Sequence, residues 1–420
     1  MNCAKTISLF PSGNVFIPPS KSLSHRAVIC AGLAAIFGKG ESFIENFGEN
    51  DDINATLGCM HSLGVEFSVE DGGIRVKKAQ PPAFAQTMDC FESGSTLRFM
   101  LPVAALFGKY FNFTGSGRLF ERPLSVYEKL FFEKGIYFER ADKLLRICGP
   151  LTSGKYALRG DLSSQFISGL LLALPLVSGE SRIILETPLE SSAYVRLTLD
   201  VMRSFGVTVE TPDEFTYEIS GGQTYNPARY QVESDYSQAA FFLAAGALGR
   251  QVSCLGMSDD SAQGDAEIID LLRRMGAKVE KNDGTIWATS SGLTAIDADV
   301  REIPDLVPPL AVLCALACGT SRITGAARLR DKESDRLFAL VTELRKLGAD
   351  ITETGDGLVI SGKPQLDGGE VDAHSDHRIA MSLAVAAIRC NNPVTITGWE
   401  SVQKSYPNFW ADFEKEEQNG

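Results

Sequence analysis

The chain has 420 residues, 44% hydrophobic and 22% charged, the balance of a soluble globular protein. Such a length exceeds what one core accommodates, so two or more domains are expected. A net charge of −13 argues against general nucleic-acid or anionic-membrane binding, yet allows a local basic site that focuses small anions.

The nine cysteines contain no CxxC pair and several lie in apolar runs, which points to reduced thiols in a cytoplasm. Cys314 and Cys318 read as core packing rather than metal ligands. Residues 1–10 lack the apolar core of a signal peptide, and no run reaches the ~18 apolar residues of a membrane span. A cytoplasmic protein without membrane or nucleic-acid partners is expected.

In chain order, residues 6–10 read as a strand, and two kinds of helix then alternate. One kind is apolar on every face, at 27–37, 97–107, 166–177, 239–248, 306–318 and 379–388, and must be buried. Its closing glycines, Gly38, Gly108, Gly179, Gly249 and Gly319, are spaced 70, 71, 70 and 70 residues apart. Asn391, which also tolerates a left-handed backbone, continues the series. The other kind is amphipathic and ends at Gly64, Gly135, Gly206, Gly276 and Gly348, spaced 71, 71, 70 and 72 apart. Glycine just past a helix is the usual left-handed C-cap.

Six repeated α/β units therefore account for the chain, most simply as two domains of three. Residues 20–232 would carry units one to three; residues 1–19 with 233–420 would carry units four to six, completed by the N-terminal strand. The chain would cross between them near 18–20 and near 232–235.

Polar clusters immediately precede the buried helices. They are Ser20-Lys21-Ser22-Leu23-Ser24-His25-Arg26, Glu92-Ser93-Gly94-Ser95-Thr96-Leu97-Arg98, Asp161-Leu162-Ser163-Ser164-Gln165, Glu233-Ser234-Asp235-Tyr236-Ser237-Gln238, Ile303-Pro304-Asp305 and His374-Ser375-Asp376-His377-Arg378. Any one could be a helix cap and nothing more. Six helix starts carrying Lys21, Arg26, Arg98 and Arg378 point instead to a cleft for a substrate with several negative charges. The charged run 328–336 precedes an amphipathic helix at 337–347, with Ser334 or Asp335 as its N-cap. His374 and His377 stand three apart but lack a third ligand, so no metal is expected.

Together with Glu121-Arg122-Pro123 and Lys332-Glu333-Ser334-Asp335-Arg336, these motifs resemble the ordered signature of the 5-enolpyruvylshikimate-3-phosphate synthase family (3-phosphoshikimate 1-carboxyvinyltransferases). The resemblance is collinear over nearly the whole chain. It implies an α/β (α+β) fold of two domains, each of three repeated units with buried helices, inverse α/β barrel-like, with the active site in the inter-domain cleft. It also implies transfer of the enolpyruvyl group of phosphoenolpyruvate to the 5-hydroxyl of shikimate 3-phosphate, by addition and elimination, on the route to chorismate and the aromatic amino acids. No cofactor is implied, and a monomer is expected.

On this resemblance Asp305 accepts the proton of the 5-hydroxyl, Glu333 is the second proton-transfer carboxylate, and Lys21 bridges both substrates. Phosphoenolpyruvate is expected on Lys21, Gly94, Arg122, Gln165, Arg336, Arg378 and Lys404. Shikimate 3-phosphate is expected on Lys21, Ser22, Arg26, Ser163, Ser164, Gln165, Ser191, Tyr194, Asp305 and Lys332. Gly94 would let an anion approach a helix start, and Arg26 would grip the ring carboxylate. Ligands divided between two domains imply closure on binding.

The chain departs from the family pattern in places. Glu92-Ser93 stand where Asn-Ala is common, Arg328 stands where some members carry Asn, and Pro19-Ser20 replace Gly-Ser. The nearest alternative is the sister family acting on UDP-N-acetylglucosamine, which carries a reactive Cys before the Arg of the second unit. Residues 112–122 contain none. A non-catalytic anion-binding relative is the other alternative, but Asp305 and Glu333 would add nothing to it.

Overall fold

The computed structural model describes residues 4–38, 40–81, 84, 86–289 and 292–415. The chain divides into two compact units, Pro19–Val232 and Met1–Pro18 with Glu233–Gly420. Helices of the first are α1 (Lys21–Phe37), α2 (Asp51–Ser62), α3 (Gly94–Ala105), α4 (Ser125–Glu133), α5 (Ser164–Ala173) and α6 (Ser192–Ser204). Those of the second are α7 (Tyr236–Leu248), α8 (Ile268–Arg274), α9 (Val307–Ala315), α10 (Arg336–Lys346), α11 (His377–Ala387) and α12 (Phe409–Phe413).

The apolar helices are the odd-numbered ones, and every residue of α7, α9 and α11 is buried. The second repeat shows why. Strands Gln86–Asp89 and Tyr110–Thr114 pair in parallel, and Tyr110–Thr114 then pairs antiparallel with Leu144–Cys148, which takes Tyr137–Ala141 on its far side. A parallel pair cannot be closed by a tight turn and needs a crossover, here α3. The amphipathic α4 leads into the hairpin, covering the repeat with its apolar stripe. Strand order repeats in the sheet of Gly154–Leu158, Ser181–Leu185, Thr216–Ile219 and Glu210–Asp213, and in that of Asp297–Asp299, Thr320–Thr324, Leu358–Ser361 and Asp350–Glu353.

The first and fourth repeats exchange their leading strands. Gly13–Phe16, which runs on into α1, pairs in parallel with Val252–Leu255. Arg229–Gln231, which runs on into α7, pairs in parallel with Ser42–Glu45. Each crossing therefore separates a strand from the helix that follows it. Among the described residues the sixth repeat has no hairpin of its own, and Ala4–Ile7 pairs antiparallel with Val394–Thr397 in its place. The N-terminal segment thus supplies two strands, Ala4–Ile7 and Gly13–Phe16, rather than the single strand expected at 6–10.

Three further expectations need correction. Helix α9 stops at Ala315, because the Leu316 N–H turns back to Leu313 O in a tighter turn. Cys314 is consequently buried and Cys318 exposed, so Cys318 is not core packing. The glycines closing the amphipathic helices are all left-handed, with φ from 68 to 90°. Of those closing the buried helices, Gly38 and Gly249 are not (φ −87 and −126°), and Asn391 has no positive φ either. Close approach accounts for Gly38, where a Cβ would lie 2.5 Å from Ala34 O and 2.6 Å from Tyr225 O.

Two glycines six residues apart should respond oppositely to alanine. At Gly64, φ is +86° and a Cβ would meet Gln80 O at 1.9 Å, whereas at Gly58, exposed within α2, it would meet nothing. Urea denaturation should show Gly64→Ala losing roughly 2–3 kcal/mol and Gly58→Ala gaining about 0.5–1 kcal/mol.

Candidate active site

The polar clusters are not placed ahead of the buried helices throughout. Lys21, Ser22 and Arg26 lie within the first turns of α1, and Gly94 to Arg98 within those of α3. Ser163, Asp235 and Asp376 are side-chain N-caps of α5, α7 and α11.

In the Pro19–Val232 unit, Lys21 Nζ is 2.7 Å from Asp52 Oδ2 on α2. Arg26 is 2% exposed and binds inward: Nε donates to Thr198 Oγ1 (2.7 Å), Nη1 to Ser22 O (2.6 Å) and Nη2 to Tyr194 O (2.9 Å). It stitches α1 to α6, with its guanidinium 5.1 Å from the Phe99 ring. Ser191 sits left-handed (φ 58°) at the start of α6, and its carbonyl accepts the Tyr194 N–H.

Around the start of α3 the same unit gathers Gly94, Ser95, Arg98, Arg122 and Gln165. Arg98 Nη1 donates to Gln165 Oε1 (2.8 Å), and Gln165 Nε2 to Ser95 Oγ (2.8 Å). A Cβ on Gly94 would lie 2.4 Å from Arg122 Nη1 and 2.9 Å from Arg98 Nη1. Gly94 therefore seats two guanidinium groups over the helix start rather than leaving open room for an anion. Two such cations at the positive end of a helix are an anion-binding arrangement. Ser163 and Ser164 open the neighbouring α5, with Ser163 Oγ accepting the Gln165 N–H.

In the other unit the centre is Arg336, the first residue of α10, 1% exposed. Its Nε donates to Asp376 Oδ2 (2.8 Å), Nη1 to Asp305 Oδ1 (3.0 Å) and Nη2 to Glu333 Oε2 (2.7 Å). Arg378 Nη2 donates to Asp305 Oδ2 (2.9 Å) and its Nη1 to the Asp305 carbonyl (3.2 Å). Lys332 Nζ lies 3.7 Å from Asp305 Oδ1. Asp305 lies in the 3-10 turn Pro304–Leu306 that leads into α9, with its carboxylate on Arg336 and Arg378. Asp335 is the cap of α10, accepting the Phe338 N–H at 3.1 Å. The charged run divides: Lys332 and Arg336 face Asp305, while Arg328 donates to Arg301 O and Arg330 pairs with Glu353. Lys404 ends the 3-10 turn Trp399–Lys404, its Nζ donating to Ser375 O at 2.6 Å.

Electrostatics follow from these distances. Burial alone would raise the Asp305 carboxyl, but Arg378, Lys332 and Arg336 outweigh it and hold it well below the usual carboxylate range. One charge pair near 4 Å is worth about 4 kcal/mol at an effective dielectric near 20, so three cations exceed the desolvation of one carboxylate. Burial pushes Lys332 down to about 8, against the pull of Asp305. Asp265, which accepts the Ser237 hydroxyl at the start of α7, is pushed up to about 6 by burial and by Asp305.

The sequence model of the family described as EPSP synthase (3-phosphoshikimate 1-carboxyvinyltransferase) matches residues 10–413. The chain belongs to the EPSP synthase family. It is 46% identical over 415 residues to the 3-phosphoshikimate 1-carboxyvinyltransferase of Clostridium kluyveri, covering 97% of this chain and 96% of that protein. It is 45% identical over 417 residues to that of Clostridium perfringens (strain ATCC 13124), covering 97% of each. The EPSP synthase structure from Acinetobacter baumannii superposes with a TM-score of 0.79 at 28% identity, covering 97% of this chain and 96% of that one. Members of this family are two-domain α/β enzymes of repeated units, and enolpyruvyl transfer in the shikimate pathway is the reaction class. Among the described residues no helix is long and apolar enough to cross a membrane.

In this EPSP synthase family member, three residues that the structure ties to these clusters, each within its own unit, had no role assigned from sequence. Asp376 reads as a helix cap, and it is one, yet the same carboxylate also holds Arg336. Asp52 reads as an acid in the first turn of α2, and only the fold brings it to Lys21. Arg98 was visible as a cation, but its bond to Gln165 spans 67 residues of sequence.

Replacing Asp305 by Asn leaves Arg378, Arg336 and Lys332 facing one another. The depressed pKa of Asp305 contributes stability present above its unfolded value near ~3.9 and lost as pH falls through the folded one. Asp305→Asn should therefore cost about 3 kcal/mol at neutral pH, with the gap closing in acid. Inorganic phosphate should restore part of the loss in the same urea titration.

Proposed function

We propose that the protein transfers the enolpyruvyl group of phosphoenolpyruvate to the 5-hydroxyl of shikimate 3-phosphate and releases phosphate. The observation that carries this is the pair of carboxylates, Asp305 and Glu333, held on one buried guanidinium among the cations of an anion site. Binding anions gains nothing from such carboxylates, whereas addition and elimination need proton-transfer groups beside the clamp.

In the addition, the substrate oxygen forms a bond to C2 of phosphoenolpyruvate as its proton leaves to Asp305. The vinyl methylene takes up a proton, with Glu333 and Lys21 as the exchanging groups, and becomes a methyl. In the elimination the methyl returns a proton, the double bond re-forms, and phosphate leaves with the electron pair of its C–O bond. Lys21, Gly94, Arg122, Gln165, Arg336, Arg378 and Lys404 hold phosphoenolpyruvate. Lys21, Ser22, Arg26, Ser163, Ser164, Gln165, Ser191, Tyr194, Asp305 and Lys332 hold shikimate 3-phosphate. Gly94 acts through the seat it makes for Arg122, and Arg26 through the α1–α6 junction as well as through its remaining donors.

With three cations around it, Asp305 is a weak base. A substrate phosphate or carboxylate drawing on Arg336 and Arg378 weakens their hold and raises the Asp305 pKa toward a useful range. Anion binding and activation of the base become one event.

Mixing both substrates with the protein should release phosphate. Asp305→Asn and Glu333→Gln should each lower kcat by at least about 100-fold while binding persists in calorimetry; wild-type turnover in either variant removes that residue from the mechanism. Gly94→Ala, by displacing Arg122, should raise KM for phosphoenolpyruvate about tenfold and leave KM for shikimate 3-phosphate nearly unchanged. An equal rise for both would show that Gly94 serves neither substrate selectively.

A further inference from the structure

Between the strand Gly369–Asp372 and α11 the chain makes a bend in which two consecutive non-glycine residues, His374 and Ser375, are left-handed (φ 51 and 52°). Side chains rarely adopt that conformation once, and two in succession persist only where surrounding contacts impose them. The contacts are present. Glu343, a carboxylate of α10 with 1% side-chain exposure, accepts the His374 Nε2 at 2.8 Å through Oε1 and the Asp372 N–H at 2.9 Å through Oε2. Lys346 Nζ lies 2.9 Å from both oxygens. One carboxylate thus grips the bend on both sides. The His374 N–H donates to Asp372 Oδ1 at 2.6 Å, and the Phe338 ring meets the imidazole edge to face.

What the bend presents is part of the site. The Ser375 carbonyl receives Lys404 Nζ at 2.6 Å. The next residue, Asp376, receives Arg336 Nε at 2.8 Å, Ser334 Oγ at 3.1 Å and the Arg378 N–H at 2.9 Å. Two cations assigned to phosphoenolpyruvate therefore take their places from the bend, Lys404 through the Ser375 carbonyl and Arg336 through the Asp376 carboxylate that follows it.

We propose that His374 and Glu343 are positioning residues for the phosphoenolpyruvate clamp, their ion pair holding the left-handed bend that sets Lys404 and Asp376. This rests on the functional reading above and names a control that reading does not contain. The charged groups facing His374 are Glu343 and Lys346 of α10, Asp372 of the adjoining strand and, through Ser375 O, Lys404. The bond to Glu343 raises the His374 pKa above its ordinary value, with burial and Lys346 opposing. The imidazolium pair is accordingly complete below the ordinary value near ~6.5 and weakens to a neutral hydrogen bond as pH rises through the raised one.

The test is KM for each substrate, and kcat, for wild type, His374→Ala and His374→Gln across roughly pH 5.5 to 8.5. His374→Ala should raise KM for phosphoenolpyruvate about fivefold at the acid end, leaving kcat and KM for shikimate 3-phosphate within about a factor of two. The ratio of variant to wild type should shrink as pH rises, because the wild type itself loses the ion pair. His374→Gln keeps a donor at similar reach without titrating, so it should recover most of the affinity, and its own KM for phosphoenolpyruvate should lose the pH dependence that the wild type shows. A ratio for alanine that is flat with pH, or equal losses for both substrates, overturns the proposal. If the alanine variant fails to fold, glutamine against wild type decides: an unchanged pH dependence overturns it. Wild-type protein that does not turn over these substrates would instead defeat the functional reading, and so is distinguishable.

Discussion

A guanidinium taken almost wholly out of water is the constraint around which the Glu233–Gly420 unit is arranged. The effective desolvation penalty of such an ion is several kcal/mol, recovered only where counter-charges sit at hydrogen-bond distance. Arg336 meets that condition three times, each through a different edge of its planar fork. Asp376 comes from the cap of α11, Asp305 from the turn before α9, and Glu333 from the approach to α10 itself. The starts of three helices are thereby held to one another by a single side chain. A lysine, with one point charge, could not span the same three directions.

The same arrangement makes the resting site self-neutralised. Asp305 pairs with both Arg378 and Arg336. On the proposed function a substrate anion would compete with this carboxylate for the two cations, which would couple binding to base strength. In the Pro19–Val232 unit the local solution differs. There Arg98 and Arg122 crowd the Gly94 position, and Arg98 donates to the amide of Gln165.

Chain continuity adds a second constraint. A parallel leading strand must be followed by a buried crossover helix, yet at both crossings the strand stays in one unit while the helix belongs to the other. The Pro19–Val232 unit builds its sheets from one segment, whereas the other unit needs the strands Ala4–Ile7 and Gly13–Phe16 from a separate one. The Asp235 N–H, donating to Pro18 O at 2.9 Å, ties the two crossing segments together at the start of α7.

Spacing along the chain was enough to count six repeats, because burial of a whole helix demands apolar residues on all its faces and left-handed C-caps demand glycine. The ordered motifs were enough to name the family and most of the cationic residues, since their identities are set by the chemistry of anions and proton transfer. The glycines at 38 and 94 were legible as glycines but not for the right reason. Close approach by Tyr225 O or by Arg122 arises from residues far away in sequence, and no local pattern records it. Asp376, Asp52 and Glu343 escaped for a related cause: each sits where a helix needs an acid or carries one on its face, so the local role conceals the distant partner. The sequence by itself determined which side chains could carry charge, and the order and approximate place of the helices. Only the tertiary structure decided which charges meet, because ion pairing falls off within a few ångströms and those distances are set by packing across the repeats.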